Sequence, residues 1–199
     1  MEKDTIIEAG LNAIPYVGGS LATLYYGSKN EKRFERLEKF YSDLKEEFEK
    51  RPNNTSNLLE HNPEDLENII SDLHDKVEKE TSEEKMKYLR NFFISTIETP
   101  IRNDFDERKT FLDILNGMSV LECQLLNFLS KQKDRIQIKN LTGANIYTLY
   151  GAVNKLISYG FLETRRGSFT MNGTQDENLD DLVFTSDYGN RFIDYIKMN

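Results

Sequence analysis

Cysteine is nearly absent from this 199-residue chain, which has Cys123 alone. A single cysteine excludes an internal disulfide framework and a cysteine-rich metal site, so we expect a cytoplasmic protein with a buried, inert thiol. An excess of positive charge is also missing. The formal net charge is −8, which argues against a chain built along its whole length to coat nucleic acid. The mixed charges at the start do not form a secretory signal.

Catalytic motifs are missing as well. The sequence contains no Gly-x-Ser-x-Gly, no His-Glu-x-x-His, no phosphate-binding loop after the pair Gly18-Gly19 and no dinucleotide fingerprint. His61, in a polar segment interpreted as a loop, and His74, in a helix rich in carboxylates, are the only histidines. Neither has a Cys or His at metal-ligand spacing. We therefore predict a non-enzymatic protein with no catalytic residue, no metal site and no cofactor.

The N-terminal part of the chain carries helical patterns throughout. Residues 30–51 place large apolar side chains at alternating spacings of three and four, with charges opposite. Asn62-Pro63 and Ser82 are typical helix starts, and Thr99-Pro100 is a typical helix end. Residues 104–116 predict one further helix. The long helix over 30–51 is interpreted as a core or dimer helix, and a partner-binding role is the alternative.

The C-terminal part differs in charge and in pattern. From Asn116 onwards nine basic and nine acidic residues balance, so the net charge of −8 belongs to the preceding part. Ser119 predicts a helix start, residues 134–142 a short second helix, and residues 145–159 a third helix ended by Gly160. FLETRR and DLVFTS predict two antiparallel strands, and a last helix follows from Asp187.

The C-terminal pattern resembles a known domain. Two segments are similar to the winged helix-turn-helix domain of bacterial MarR-like and PadR-like regulators. They are LTGANIYTLYGAVNKLISYGFLE and, further along the chain, LVFTSDYGNRFIDYI. By that resemblance Gly143 is the turn glycine, Val153 and Leu156 hold the recognition helix to the core, and Gly160 leads into the wing. The expected fold is mainly α, with an apolar helical hairpin over 1–28, a helical bundle over 29–116 and an α+β winged-helix domain over 117–199.

The resemblance implies a regulatory protein that binds double-stranded DNA, with the N-terminal helices mediating homodimerisation or partner contact. Helix geometry places polar side chains of the third helix opposite its packed side, where they could reach base edges. The resemblance implies that two arginines lie at the base of the wing. Few cations accompany these polar side chains, so a winged helix with a purely structural or protein-binding role is an equal alternative. The predicted DNA-binding residues are Tyr147, Thr148, Asn154, Lys155, Arg165 and Arg166, with Lys139 as a further candidate cation.

The whole chain also resembles small bacterial and phage proteins grouped with abortive-infection proteins of the alpha type. The matching phrases are Ile14-Pro15-Tyr16-Val17-Gly18-Gly19 and the stretch from Thr185 to Phe192. This resemblance implies a second interpretation, an interaction or effector protein in phage defence or phage–host conflict. Residues 5–26 are apolar enough for peripheral membrane contact, although Glu8, Pro15 and the glycine pair make a poor membrane span. A helical hairpin packed on protein is the preferred interpretation of this segment.

Overall fold

The chain divides into two compact units, and the division falls between Asn116 and Gly117. The computed structural model describes residues 31–50, 60–165 and 177–196. The predicted hairpin over 1–28, with its proposed membrane contact, and Arg166 lie outside these residues. The described part is mainly helical with a small three-stranded antiparallel sheet, which confirms the predicted fold class.

Four helices form the described part of the N-terminal unit. The Asn62 side chain accepts a hydrogen bond from the backbone N–H of Glu64 (3.0 Å), and Pro63 occupies the first turn, where its missing N–H costs nothing. Ser82 accepts in the same way from the N–H of Lys85 (3.3 Å). Both caps confirm the predicted helix starts. The helices are α1 (Glu31–Glu49), α2 (Pro63–Lys79), α3 (Glu83–Glu98) and α4 (Phe105–Gly117).

The apolar stripes of these helices form the core of the unit, because each helix turns its evenly spaced apolar residues inward. α1 packs against α2 and α3, and the ring of Phe40 meets that of Phe93 edge-on at 6.2 Å between centroids. The stripe predicted for the second helix is buried in full. It consists of Leu66, Ile69, Ile70, Leu73 and Val77.

A buried arginine joins the end of α3 to α4. Arg108 is 1% exposed, and its guanidinium donates to the backbone oxygens of Thr99 (2.8 Å) and Pro100 (3.1 Å) and to the carboxylate of Asp104 (2.7 Å). Asp104 lies one turn before Arg108, so the ion pair forms within the helix. The arginine thus takes up carbonyl oxygens that the end of α3 would otherwise leave without donors.

The C-terminal unit surrounds the small sheet with three α-helices in its described part. Ser119 begins the first with a full capping box, because its side chain bonds the N–H of Glu122 while the Glu122 carboxylate bonds the N–H of Ser119. The sheet order is β1-β3-β2, antiparallel throughout, with Val183 of β3 paired to Ile136 and to Thr164. The elements are α5 (Val120–Ser130), β1 (Ile136–Gln137), a 3₁₀ turn (Ile138–Asn140), α6 (Ile146–Ser158), β2 (Leu162–Arg165), a second 3₁₀ turn (Glu177–Asp180), β3 (Leu182–Thr185) and α7 (Asp187–Ile196).

The predicted second helix over residues 134–142 is wrong. The segment instead forms β1 and a 3₁₀ turn of three residues. Ile136 and Ile138 alternate with polar neighbours, a period that suits a strand, and the β-branched side chains favour it. The N–H of Ile138 bonds the carbonyl oxygen of Asp181 (3.0 Å), so a partner more than forty residues away decides the conformation.

Candidate nucleic-acid interface

The helix α6 begins and ends at residues that the sequence identified. Asn145 is the N-cap, and its side chain accepts from the N–H of Tyr147 (2.9 Å). Gly143, in the turn before the helix, has a φ of +104°, and Gly160, just after it, has a φ of +78°. L-residues with side chains rarely adopt this left-handed conformation, so both glycines fix the path of the chain at the two ends of α6.

The two faces of α6 divide as predicted. Leu149, Val153 and Leu156 are buried, joined by Ala152, and they hold the helix against α5 and β2. The opposite face carries uncharged residues that are polar or small and exposed to solvent. Tyr147 is 64% exposed. The exposed positions are Tyr147, Thr148, Gly151, Asn154 and Ser158. This face therefore offers hydrogen-bonding groups without charge.

Lys155, the one cation predicted on this helix, has partners inside the unit. Its ammonium lies 3.0 Å from the Glu122 carboxylate and donates to the backbone oxygen of Gly117 (3.0 Å). The hydrogen bond to Glu122 raises the pKa of Lys155 above its ordinary value. Lys155 thus ties α6 to the capping box at the start of α5, and only part of its charge faces outward, since 40% of the side chain is exposed.

At the wing, the predicted cations have different surroundings. Arg165 at the end of β2 is exposed, with its guanidinium 6.0 Å from the centre of the Phe184 ring. Within the described residues it forms no ion pair. Lys139 pairs with the carboxylate of Asp180 at 2.6 Å, so this further candidate is largely neutralised. Arg166 is outside the described residues. Arg165 is consequently the one predicted cation that the described structure leaves without an acidic partner.

The sequence reasoning missed Arg135. Its guanidinium stacks on Phe184 at 4.7 Å from the ring centre, on the strand between β1 and β2. The signal was the alternation of Arg135-Ile136-Gln137-Ile138, which predicts a strand with Arg135 and Gln137 on one face. The helical interpretation of this segment concealed it.

The residues weighed for catalysis lie in cores. His61 lies in the loop just before α2, as predicted, but it is buried there, with Nε2 3.1 Å from the oxygen of Ile97 and Nδ1 3.3 Å from the nitrogen of Ile101. His74 is buried beside the hydroxyl of Tyr41 at 3.2 Å. Burial lowers the pKa of both imidazoles and raises that of the Tyr41 phenol. Cys123 is buried, as predicted.

Two further structural observations bear on function. Among the described residues no three His, Cys, Asp or Glu side chains come together as a group that could hold a metal ion. In the same residues, no helix combines the length and the apolar character needed to cross a membrane. Comparison with protein-family models, with curated proteins and with solved structures finds no match to this chain.

Proposed function

We propose that the C-terminal unit is a winged-helix module that binds double-stranded DNA. In this proposal the whole chain is a cytoplasmic, non-enzymatic regulatory protein, and its N-terminal helices mediate dimerisation or partner contact. The observation that carries the proposal is the division of α6 into one buried apolar face and one exposed, uncharged polar face. A helix inserted in the major groove needs such side chains, because amides and hydroxyls bond base edges and phosphates.

The order of elements supports the same proposal. The C-terminal unit has three α-helices in its described part. α6 is followed directly by the antiparallel pair β2 and β3, and α7 follows that pair. This order resembles that of winged-helix domains, with the 3₁₀ turn (Ile138–Asn140) in the place of their second helix. In the proposed complex, α6 contacts bases through Tyr147, Thr148 and Asn154, while the hairpin contacts the backbone.

The charge distribution sets the expected strength of binding. Phosphate neutralisation depends mainly on Arg165 and Arg166 because Lys155 and Lys139 already have carboxylate partners. Each neutralised phosphate contributes about −0.9 to the slope of log K against log salt concentration. A module with few unpaired cations therefore has a shallow salt dependence and gains most of its specificity from α6.

The experiment is fluorescence anisotropy of the full chain with duplex DNA from the region upstream of its own gene. Arg165→Glu and Asn154→Ala are the test variants, since both side chains are exposed. Lys131→Glu, an equal charge change at an exposed position after α5, is the matched control. Lys155→Glu is a poor test of DNA contact, because it would place a second carboxylate beside the buried Glu122.

We expect Arg165→Glu to weaken binding to every duplex and Asn154→Ala to reduce the preference for the upstream sequence. Loss of one good base contact costs about 1–3 kcal/mol of discrimination. The control should bind as the unaltered chain does. Equal weakening by Lys131→Glu and Arg165→Glu would show a non-specific charge effect and would refute the proposed interface.

A second candidate function has its own support. Lys155 and Lys139 are occupied by carboxylates, and Phe128 and Tyr147 are the large apolar side chains exposed in the described part, at 48% and 64%. Such a surface also suits a protein partner. Under this candidate the chain is an interaction or effector protein in phage defence or phage–host conflict, acting through its apolar N-terminal segment.

The two candidates differ in DNA affinity and in fractionation. The effector candidate predicts negligible, salt-independent DNA affinity. It also predicts recovery with the membrane fraction that is lost on deleting residues 1–28. Recovery in the soluble fraction, together with sequence-dependent DNA binding, would contradict it.

A further inference from the structure

A polar cleft opens beside the small sheet, next to the Phe184 ring that Arg165 also contacts, and none of the described residues assigned to DNA contact lines it. Its volume is about 290 Å³, and its walls come from the end of α5, the start of β1, the end of β3 and the first turn of α7. The residues that matter here are Lys133, Arg135, Thr185 and Asn190, with Asp134 and Phe184 beside them. Small-molecule pockets usually begin at about 300 Å³, so the cleft suits a small ligand.

The cations of the cleft are available. Arg135 is held in place by stacking on Phe184 at 4.7 Å, and Lys133 is exposed. Neither side chain forms an ion pair with any residue in the ranges that the structure describes. The carboxylate of Asp134 also lines the cleft, which leaves one net positive charge. An anion placed there would meet a fixed guanidinium and a flexible ammonium.

An unused hydroxyl lies in the wall of the same cleft. The Oγ1 atom of Thr185 is buried and has no hydrogen-bond partner among the described residues. Buried polar atoms almost always have a partner, because leaving one without costs about 1–3 kcal/mol. Asn190, exposed on the first turn of α7, adds an amide at the rim. A ligand oxygen in the cleft could bond to the Asn190 amide directly, and to the Thr185 hydroxyl once that side chain rotates toward the cleft.

Carbonyl oxygens near the end of α5 already accept hydrogen bonds, which reduces their repulsion of an anion. The oxygen of Phe128 accepts from the backbone N–H of Lys131 (3.2 Å) and from the side chain of Gln132 (3.2 Å). The oxygen of Asn127 accepts from the Ser130 hydroxyl (3.0 Å). The cleft is therefore lined with donors and cations more than with unused acceptors.

We propose that this cleft binds the phosphate group of a small molecule. Arg135 and Lys133 neutralise the phosphate, Asn190 bonds one of its oxygens, and the Thr185 hydroxyl bonds another after its side chain rotates toward the cleft. The site lies beside Arg165 but includes no residue of α6, so Asn154→Ala, which tests DNA contact, should leave phosphate binding unchanged.

The test is titration of the full chain with inorganic phosphate and with a nucleoside monophosphate, followed by calorimetry at constant ionic strength. The variants are Arg135→Gln and Lys133→Gln. Lys133 is exposed, so Lys133→Gln should leave the fold intact. Lys131→Gln is the matched control, an exposed lysine two residues away that does not line the cleft. Circular dichroism of each variant checks that it is folded.

We expect each test variant to weaken phosphate binding about tenfold, the loss of one charge-assisted contact, and the control to change it less than about twofold. Absence of phosphate binding, or equal weakening by Lys131→Gln, would overturn the proposal. A third measurement identifies the source of the phosphate. Displacement of bound phosphate by duplex DNA would overturn the assignment to a small molecule, and unchanged phosphate binding in the presence of DNA would support it.

Discussion

Gly189 is the position where adding a single methyl group should damage the fold most clearly. A Cβ atom there would lie 2.2 Å from the backbone oxygen of Phe161 and 3.0 Å from two further backbone atoms of that residue. The carbonyl has little room to move, because it accepts a hydrogen bond from the N–H of Ser186 (3.0 Å) and the Phe161 ring stacks on Phe192 at 4.3 Å. Relief of the clash therefore requires α7 to shift as a whole.

We expect Gly189→Ala to lower the free energy of unfolding of the C-terminal unit by about 2 kcal/mol net. Overpacking typically costs about 1–3 kcal/mol, and rigid backbone puts this site at the upper end. The better helix propensity of alanine returns at most about 1 kcal/mol. For a unit of this size, 1 kcal/mol corresponds to about 4–8 °C in Tm, so a net loss of about 2 kcal/mol should lower Tm by about 8–16 °C.

Gly151→Ala is the matched control, the same chemical change in the exposed middle of α6. No atom lies within 4 Å of a Cβ built there. Alanine should raise stability by about 0.5–1 kcal/mol, since glycine inside a helix loses more entropy on folding. Urea unfolding followed by circular dichroism measures both variants, and hydrogen exchange of the α7 amides assigns the effect to the C-terminal unit. A neutral or stabilising Gly189→Ala would refute the packing described here.

Three further predictions concern buried polar groups. Arg108→Met should cost about 3 kcal/mol in urea unfolding, because two backbone oxygens and a carboxylate lose their donor; a loss below about 1 kcal/mol would contradict this role. Stability should fall as pH decreases from neutral to about 5.5, because burial lowers the pKa of His61 and His74 below the ordinary 6.5. In that pH range the unfolded chain binds more protons than the folded chain does. A urea midpoint that does not change with pH, and that His61→Gln and His74→Gln leave unchanged, would contradict this prediction. Lys155→Met should lower the free energy of unfolding by at most about 1 kcal/mol, because water partly screens the ion pair with Glu122. The same variant should change DNA affinity by less than about twofold. A much larger loss of affinity, measured by anisotropy, would show that Lys155 contacts DNA.

Helix starts, apolar faces and the hairpin could be predicted because their causes are local. Asn62, Ser82, Ser119 and Asn145 cap helices through bonds that span two or three residues, a range that a sequence pattern covers. The apolar face of α6 follows from a period of 3.6 residues. The left-handed Gly160 could be predicted for the same reason, since it directly follows the last residues of that pattern.

The remaining features depend on partners far along the chain. β1 forms because Ile136 and Gln137 pair with Val183 and Leu182 of β3, which local spacing does not show. The burial of His61 depends on backbone groups near Ile97, at a sequence separation of 36 residues. The helical pattern predicted Lys155 as an exposed cation, but its ammonium pairs with Glu122 of another helix, α5. Counting charged side chains in the sequence therefore gave too many cations that could neutralise phosphates at the candidate interface.

The central claim is that the C-terminal unit binds duplex DNA through α6 and the hairpin that follows it. The most direct measurement is the affinity of the full chain for duplex DNA over a range of salt concentrations, with and without Arg165→Glu. We predict a negative slope of log K against log salt that becomes shallower by about one unit or more in the variant. Absence of binding at low salt, or a slope that Arg165→Glu leaves unchanged, would contradict the claim.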